Sequence, residues 1–436
     1  MTRRIKIYSR FTQSERGSMT IFGLFLIITI LMIGGLAIDI TNVMRERTHL
    51  QMVADSTGHA ALLTRELGTV ATSKSTALNV ARGNMPSSYY GEVLNTANVS
   101  FGNWDTSTQT FAASPNSRSA VQVSVTRTSA NGNPTATYLL KLAGLQSWDL
   151  TANATYMTYQ PTCFREGFVG VGVVDLQSNN SFSNGFCIHS NDHVSLNSNN
   201  TFEPGTVVSM PNLDDLDIPN SGFKTNVGLQ TALRSGSYNI RIVSRIGDIV
   251  DTIDDVGSPY RPAYITSTIT NTITKGTIAD TDLKANKINY WNCSGGGNGT
   301  ISNGTLVKDL VIVSNCEIKF GSGVKVQNAV IVTTNTSARS FNSSAGFALG
   351  LDDHCAAGGA GQLVTMGGMN FAANLEIYGS QLLALGDIVF AAKASGVEGA
   401  AMVSASKISG TSNMDMAFCG TGMDSNFKAE YFRLVN

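Results

Sequence analysis

The chain is poor in charge. Lys, Arg, Asp and Glu together make up 14% of its 436 residues, where soluble domains usually carry about 25%. The net charge is −1, so no basic surplus is present to hold a nucleic acid. Nor do Tyr, Trp and Phe interleave with basic runs, as a single-strand binding groove requires. Cysteine is missing from everything before Cys163, and no CxxC pair occurs anywhere. No GxSxG elbow, P-loop, HExxH or EF-hand spacing appears either, which removes the commonest signatures of hydrolases, nucleotide binders, zinc proteases and calcium loops. No catalytic residue, metal or cofactor is expected. Apolar content is ordinary at 42%, so the chain is not of the disordered class, and its length suits two or three domains.

What is present begins with an uncharged run. From Met19 to Ile40 the chain reads MTIFGLFLIITILMIGGLAIDI, with no charge between Arg16 and Asp39. As a helix it spans about 33 Å, enough for a bilayer core of about 30 Å. Met19, Phe22, Leu26, Ile30, Leu36 and Ile40 are its candidate anchor residues. Arg3, Arg4, Lys6, Arg10 and Arg16 precede it, opposed only by Glu15. The positive-inside rule therefore places residues 1–18 in the cytoplasm and the bulk outside. A cleaved signal peptide, with Gly35 and Ala37 as the small residues before the cut, is the rival reading. Its apolar core is longer than such leaders carry, and helical periodicity continues to about residue 66. Val43, Leu50, Ala54 and Ala61 share one face, while Arg45, Glu46 and Asp55 avoid most of it. Asp39 reads as a boundary residue at the outer end of the span.

The pieces Arg16-Gly17-Ser18, the apolar span, Gly35 through Asp39, Arg45, Leu50-Gln51 and Ala54-Asp55 resemble the N-terminal segment of the TadE/TadG-like proteins of Flp pilus assembly. That resemblance covers residues 14–65. It implies an inner-membrane anchor, other Tad/Flp pilus-assembly proteins as partners, and a role in building or stabilising an adhesive pilus. Pilins cut by a prepilin peptidase carry Glu at the fifth position after the cleaved Gly. Here that position is Phe22, which leaves processing after Gly17 open. The DxSxS strand end of a von Willebrand A metal site is absent.

Residues 67–160 read as a small pilin-like α/β module, with strands at Ala97–Trp104, Ala120–Arg127 and Leu150–Tyr159 and a short helix over Thr137–Leu145. Residues 161–436 carry apolar runs at a near-constant interval. Val311–Val313 is followed 19 positions later by Val330–Val332; Ile188 and Val207 share that offset, as do Val364, Leu383 and Met402 in succession. Stacked coils with this period predict a right-handed parallel β-helix, since one coil cannot bury its own apolar side chains. A β-sandwich is the competing fold. The fold class expected is thus α+β, mostly β: a transmembrane helix, a small α/β module and a β-helix. The tail, from Asp352-Asp353-His354-Cys355 to the end, is similar to the ends of long alphaproteobacterial Tad-domain proteins.

Cys163, Cys187, Cys293, Cys316, Cys355 and Cys419 are candidate disulfide cysteines, an even number in an exported segment. Buried free thiols or metal ligation are the alternatives. Joining Cys355 to Cys419 would tie a terminal cap to the stack. Cys187, His189 and His193 lie within FCIHSNDH, where strand alternation puts the first two on one face. Acidic clusters occur at Asp214, Asp215 and Asp217, at Asp251, Asp254 and Asp255, and at Asp352 and Asp353. Paired carboxylates of this kind serve carbohydrate-cleaving β-helices, so a membrane-tethered enzyme is one alternative function. A secreted adhesin binding a surface or glycan is another. The leading expectation is a non-enzymatic, membrane-anchored component of pilus assembly or surface adhesion.

Overall fold

The computed structural model describes residues 16–436. The basic residues Arg3, Arg4, Lys6 and Arg10, on which the expected orientation rests, lie outside the described residues. The chain divides into two compact units, residues 1–159 with 431–436 and residues 160–430. The closing six residues thus belong with the first unit, where a single domain from 161 to 436 is expected from sequence.

The first unit is built on one 50-residue helix, α1 (Arg16–Arg65). No proline interrupts it, and its two halves have opposite surroundings. Side chains through Ile40 are mostly exposed, whereas Leu50, Val53, Ala54, Ala61 and Leu62 are fully buried. The buried half packs on a second helix, α2 (Val70–Asn84), and on an antiparallel sheet. Thr69 caps α2 by accepting the Thr72 backbone N–H, satisfying one of the orphan donors of a helix start. The strands are β1 (Val99–Asp105), β2 (Thr110–Ala113), β3 (Ala120–Arg127) and β6 (Leu150–Tyr159), joined by the C-terminal strand Tyr431–Leu434 in the order β2-β1-β3-β6-C-terminal strand. Between β3 and β6 a two-rung ribbon, β4 (Thr135–Ala136) with β5 (Ser147–Trp148), carries a tip at residues 138–145. Only a 3-10 turn, Leu140–Ala143, forms there, because Gly144 at φ +96° ends it at once.

Residue Glu46 departs from the expected face. It is only 6% exposed, on the buried side of α1, four positions before Leu50. Arg127 of β3 lies 2.7 Å from its carboxylate, which is why a charge is tolerated there.

Every strand pair in the second unit is parallel. Three ladders run through it. The longest contains, in spatial order, strands at Leu233–Ser235, Val207–Met210, Cys187–Ser190 and Gly167–Gly170, then Ala401–Ser404, Gln381–Ala384, Gly361–Thr365, Ala329–Thr333, Val311–Ser314, Ile288–Trp291 and Asn271–Ile273. The chain therefore enters this ladder in its middle, runs to one end, crosses through residues 236–270 to the other end, and winds back until its last rung pairs with its first.

Phe168, Ile188, Val208, Ile312, Ile331, Leu363, Leu382 and Met402 all point into one apolar core. The expected spacing holds at Val311↔Val330 and Val364↔Leu383, which are ladder partners. It fails by one elsewhere: Ile188 pairs with Val208, not Val207, and Leu382, not Leu383, pairs with Met402. A slip of one residue reverses the facing of a strand, so Met402 lies in the core row. The extra residue is taken up by an irregular register between Phe371 and Ile377; from Ile377↔Val397 onward the offset is 20. On the other side of this ladder Val364 and Leu383 are also buried, and the helix Ile246–Thr252 lies against Gly361–Thr365. Three asparagines, Asn180, Asn200 and Asn226, are buried at turns, their side-chain oxygens accepting the backbone N–H groups of Met414, Asn180 and Asn200 respectively. They satisfy turn N–H groups that the ladders cannot reach.

Candidate functional site

Among the described residues one helix, α1, is long and apolar enough to cross a membrane. All six expected anchor residues are exposed on it: Met19, Phe22, Leu26, Ile30, Leu36 and Ile40. An array of this size left in water would be costly at about 25 cal/mol per Å² of apolar surface. A bilayer removes that cost.

The Asp39 end of the apolar run is closely packed. Asp39 is 1% exposed, and its carboxylate accepts the backbone N–H groups of Tyr138, Leu139 and Leu140 at 2.6, 3.0 and 2.7 Å. The ribbon tip thus lies on α1. Thr137 keeps the tip closed by donating its hydroxyl to the Leu145 carbonyl, while its own N–H donates to the Gln146 carbonyl. One helical turn before Asp39, Gly35 lets the tip approach: a Cβ placed on Gly35 would lie 2.9 Å from Leu139 Cβ. Neighbouring Gly34 has open space around it. Sequence reading gives Asp39 as a boundary residue and misses its partners, which lie 99 to 101 positions away.

The cysteines pair as Cys163–Cys187, Cys293–Cys316 and Cys355–Cys419, with Cα separations of 4.9, 5.2 and 6.1 Å. Cys187 is therefore not available as a metal ligand. His189 lies on its face of the strand, fully buried, joined to Ser209 at 2.8 Å and to Asn191 at 3.0 Å. Burial pushes its imidazole below the ordinary range. The rings of Phe164 and Tyr238 cover it. His193 sits beyond the strand end, beside Asp192. No group of three or more His, Cys, Asp or Glu side chains converges on a metal position among the described residues.

The acidic clusters do not meet one another. Asp214 and Asp215 are exposed on a 3-10 turn, and Asp217 accepts the Ser195 hydroxyl. Asp254 accepts the hydroxyl of Tyr290 at 2.5 Å, while Asp251 and Asp255 face solvent. Asp353 accepts the Ala356 N–H in a turn beside exposed Asp352. A buried carboxylate that sequence reading passes over, Glu166, accepts the N–H groups of Cys419 and Gly420 at 2.6 Å each. It pins the segment Cys419-Gly420 beside the Cys355–Cys419 bridge.

Residues 167–420, more than half the chain, match the family model of DUF7867, a domain of unknown function. The chain belongs to the DUF7867 family. In this member the DUF7867 region is the parallel-stranded unit, and its matched limits begin at the first ladder strand. The N-terminal segment matches two Flp pilus-assembly families: the TadE/G-like family Tad over residues 17–71 and Tad_C over residues 58–155. The Tad match takes in the apolar span and the buried half of α1, and Tad_C takes in α2, the ribbon tip and most of the sheet. The resemblance seen over residues 14–65 is thus a family match. No curated protein and no solved structure matches the chain.

Proposed function

We propose that this DUF7867 protein is a non-enzymatic component of Tad/Flp pilus assembly, held in the bacterial inner membrane by a single pass of α1. Its N-terminus is cytoplasmic and its bulk periplasmic. The exported part is a right-handed parallel β-helix presented to other pilus components or to a surface. One observation carries the reading: a single helix is exposed and apolar through Ile40, then buried from Leu50 onward in the module that matches Tad and Tad_C. Three parallel ladders with inward apolar rows support the β-helix, and parallel crossovers in one sheet are almost always right-handed. The engagement of each acidic cluster in local turns and side-chain bonds supports a presenting surface over a catalytic groove.

Fractionation with a carbonate wash, combined with protease treatment of spheroplasts, tests the anchor. The full-length chain should stay in the pellet and lose its exported part to protease. Recovery in the supernatant, or a mature chain beginning downstream of Ala37, would overturn it. A strain lacking the chain should display fewer surface pili; unchanged piliation would sink the assembly role.

A further inference from the structure

We propose that the ribbon tip, residues 138–145, is a second membrane-contacting element that inserts into the outer headgroup boundary beside α1; the inference rests on the anchor reading above. The tip sequence is YLLKLAGL. Leu142 is 84% exposed and Tyr138 55% exposed, and Leu139 and Leu145 are exposed as well. Four large apolar side chains within eight residues form a patch that water disfavours, and it is not scattered over the surface but sits on the span itself.

Position identifies the occupant. Counting from Met19, Asp39 lies about 30 Å along the helix, the thickness of a hydrocarbon core. Leu139 packs over Gly35, one turn nearer the bilayer centre, hence about 6 Å inside that boundary. Interfacial segments bury their apolar faces to about 5–10 Å. Tyr138 and exposed Lys141 supply the aromatic and cationic groups that headgroup regions favour. The tip's first N–H groups, which would otherwise be left without acceptors in this layer, are satisfied by Asp39. Asp39 in turn tolerates its depth because three donors surround it. The patch is therefore continuous with the lipid-facing surface of α1, and lipid is the partner it fits.

The native cysteines are all paired among the described residues, so single introduced thiols take a fluorescent label. The test uses the full chain, purified in detergent and reconstituted into phosphatidylcholine vesicles whose acyl chains are brominated near the glycerol or near the methyl end. Labels are placed separately by Leu31→Cys in the span, Leu142→Cys in the tip and Met52→Cys on the exposed part of α1 outside the span. The expected pattern is strong quenching at 31, quenching at 142 that is greater from the shallow bromines, and none at 142's water-facing control, 52. If 31 is quenched while 142 behaves like 52, the tip is outside the bilayer and the inference fails with the anchor intact. If 31 escapes quenching, the anchor reading fails and takes the inference with it. A label at 142 shielded from both lipid and aqueous quenchers would mean a protein covers the tip, which also overturns the proposal. Gly35→Leu should displace Leu139 and reduce quenching at 142, while Gly34→Leu leaves it unchanged; equal effects would show that the Gly35 contact does not seat the tip.

Discussion

Val169 and Val403 are direct partners in one parallel ladder although 234 positions separate them. Beside them Phe168 and Met402 pair in the core row. The first and last strands that the chain adds to this ladder thus hold each other, so the ladder's middle rung joins two distant parts of the chain. Deleting core atoms there should weaken the whole unit rather than fray an end. Met402→Ala is expected to cost about 2–5 kcal/mol, read as a lower urea midpoint for the full chain in detergent. An equivalent loss at an end rung, Ile273→Ala, should cost less, because Ile273 retains some exposure and has a neighbour on only one side. Equal costs would argue against a closed middle.

Glu46 and Arg127 make a second such link, between α1 and β3. Both side chains are largely buried, and the Arg127 guanidinium also lies over the Tyr90 ring at 5.4 Å. Removing Arg127 leaves buried Glu46 with only the exposed Arg45, 3.2 Å away, and removing Glu46 leaves the Arg127 guanidinium with only the Asn133 and Pro134 carbonyls as acceptors, at a cost of up to about 3–5 kcal/mol. Glu46→Ala and Arg127→Ala should each lower the thermal midpoint strongly. The double variant Glu46→Leu with Arg127→Leu should recover much of the loss, since no lone charge remains. A double variant that loses the sum of the two single effects would contradict this account.

These two links show where sequence reading succeeds and where it stops. The limits of β3 and β6, Ala120–Arg127 and Leu150–Tyr159, are legible because period-two alternation is local. The pairing of Val311 with Val330 is legible because the offset of 19 is unbroken between their two strands. Met402 falls on the wrong row because one residue hidden at an irregular turn changes the offset from 19 to 20. The pairing of Val169 with Val403 leaves no trace in a search for offsets between successive coils. Glu46 and Asp39 escape sequence reading for a related reason: their partners, Arg127 and the 138–140 backbone, are distant in the chain, and an acid looks solvated until its donors are seen.

The burial of His189 gives the unit an acid-sensitive element. Burial lowers its pKa from the ordinary 6.5, partly offset by its bonds to Asn191 and Ser209. Below pH 6.5 the unfolded chain therefore binds a proton that the folded chain resists, so unfolding is favoured as the pH falls. Stability should be retained above pH 6.5 and decline on acidification through the window beneath it. The thermal midpoint of His189→Gln, compared with the parent across this range, should fall less steeply. Parallel curves would exclude His189 as the source.

The bridge Cys355–Cys419 spans 64 positions, against 24 for Cys163–Cys187 and 23 for Cys293–Cys316. In the chain-entropy account stabilisation grows with loop length, from about 3 kcal/mol for 15 residues to about 4.7 for 100. Replacing Cys355 and Cys419 together by alanine should accordingly cost more than replacing either other pair. The glycine at 399 is fitted to this bridge: a Cβ there would lie 2.6 Å from Cys355 Sγ and 2.7 Å from Cys419 Sγ, on backbone at φ +67°. Gly399→Ala in the bridged protein therefore meets both a clash and an unfavourable φ. In the background that carries Cys355→Ala with Cys419→Ala, the two sulfur clashes are gone, leaving the φ penalty of about 1–2 kcal/mol and a 3.2 Å approach to the Gly379 Cα. Urea melts around this double-mutant cycle should show the glycine substitution costing less once the sulfurs are gone. The same cost in both backgrounds would mean that Gly399 serves the turn alone and that the bridge could be moved without disturbing it.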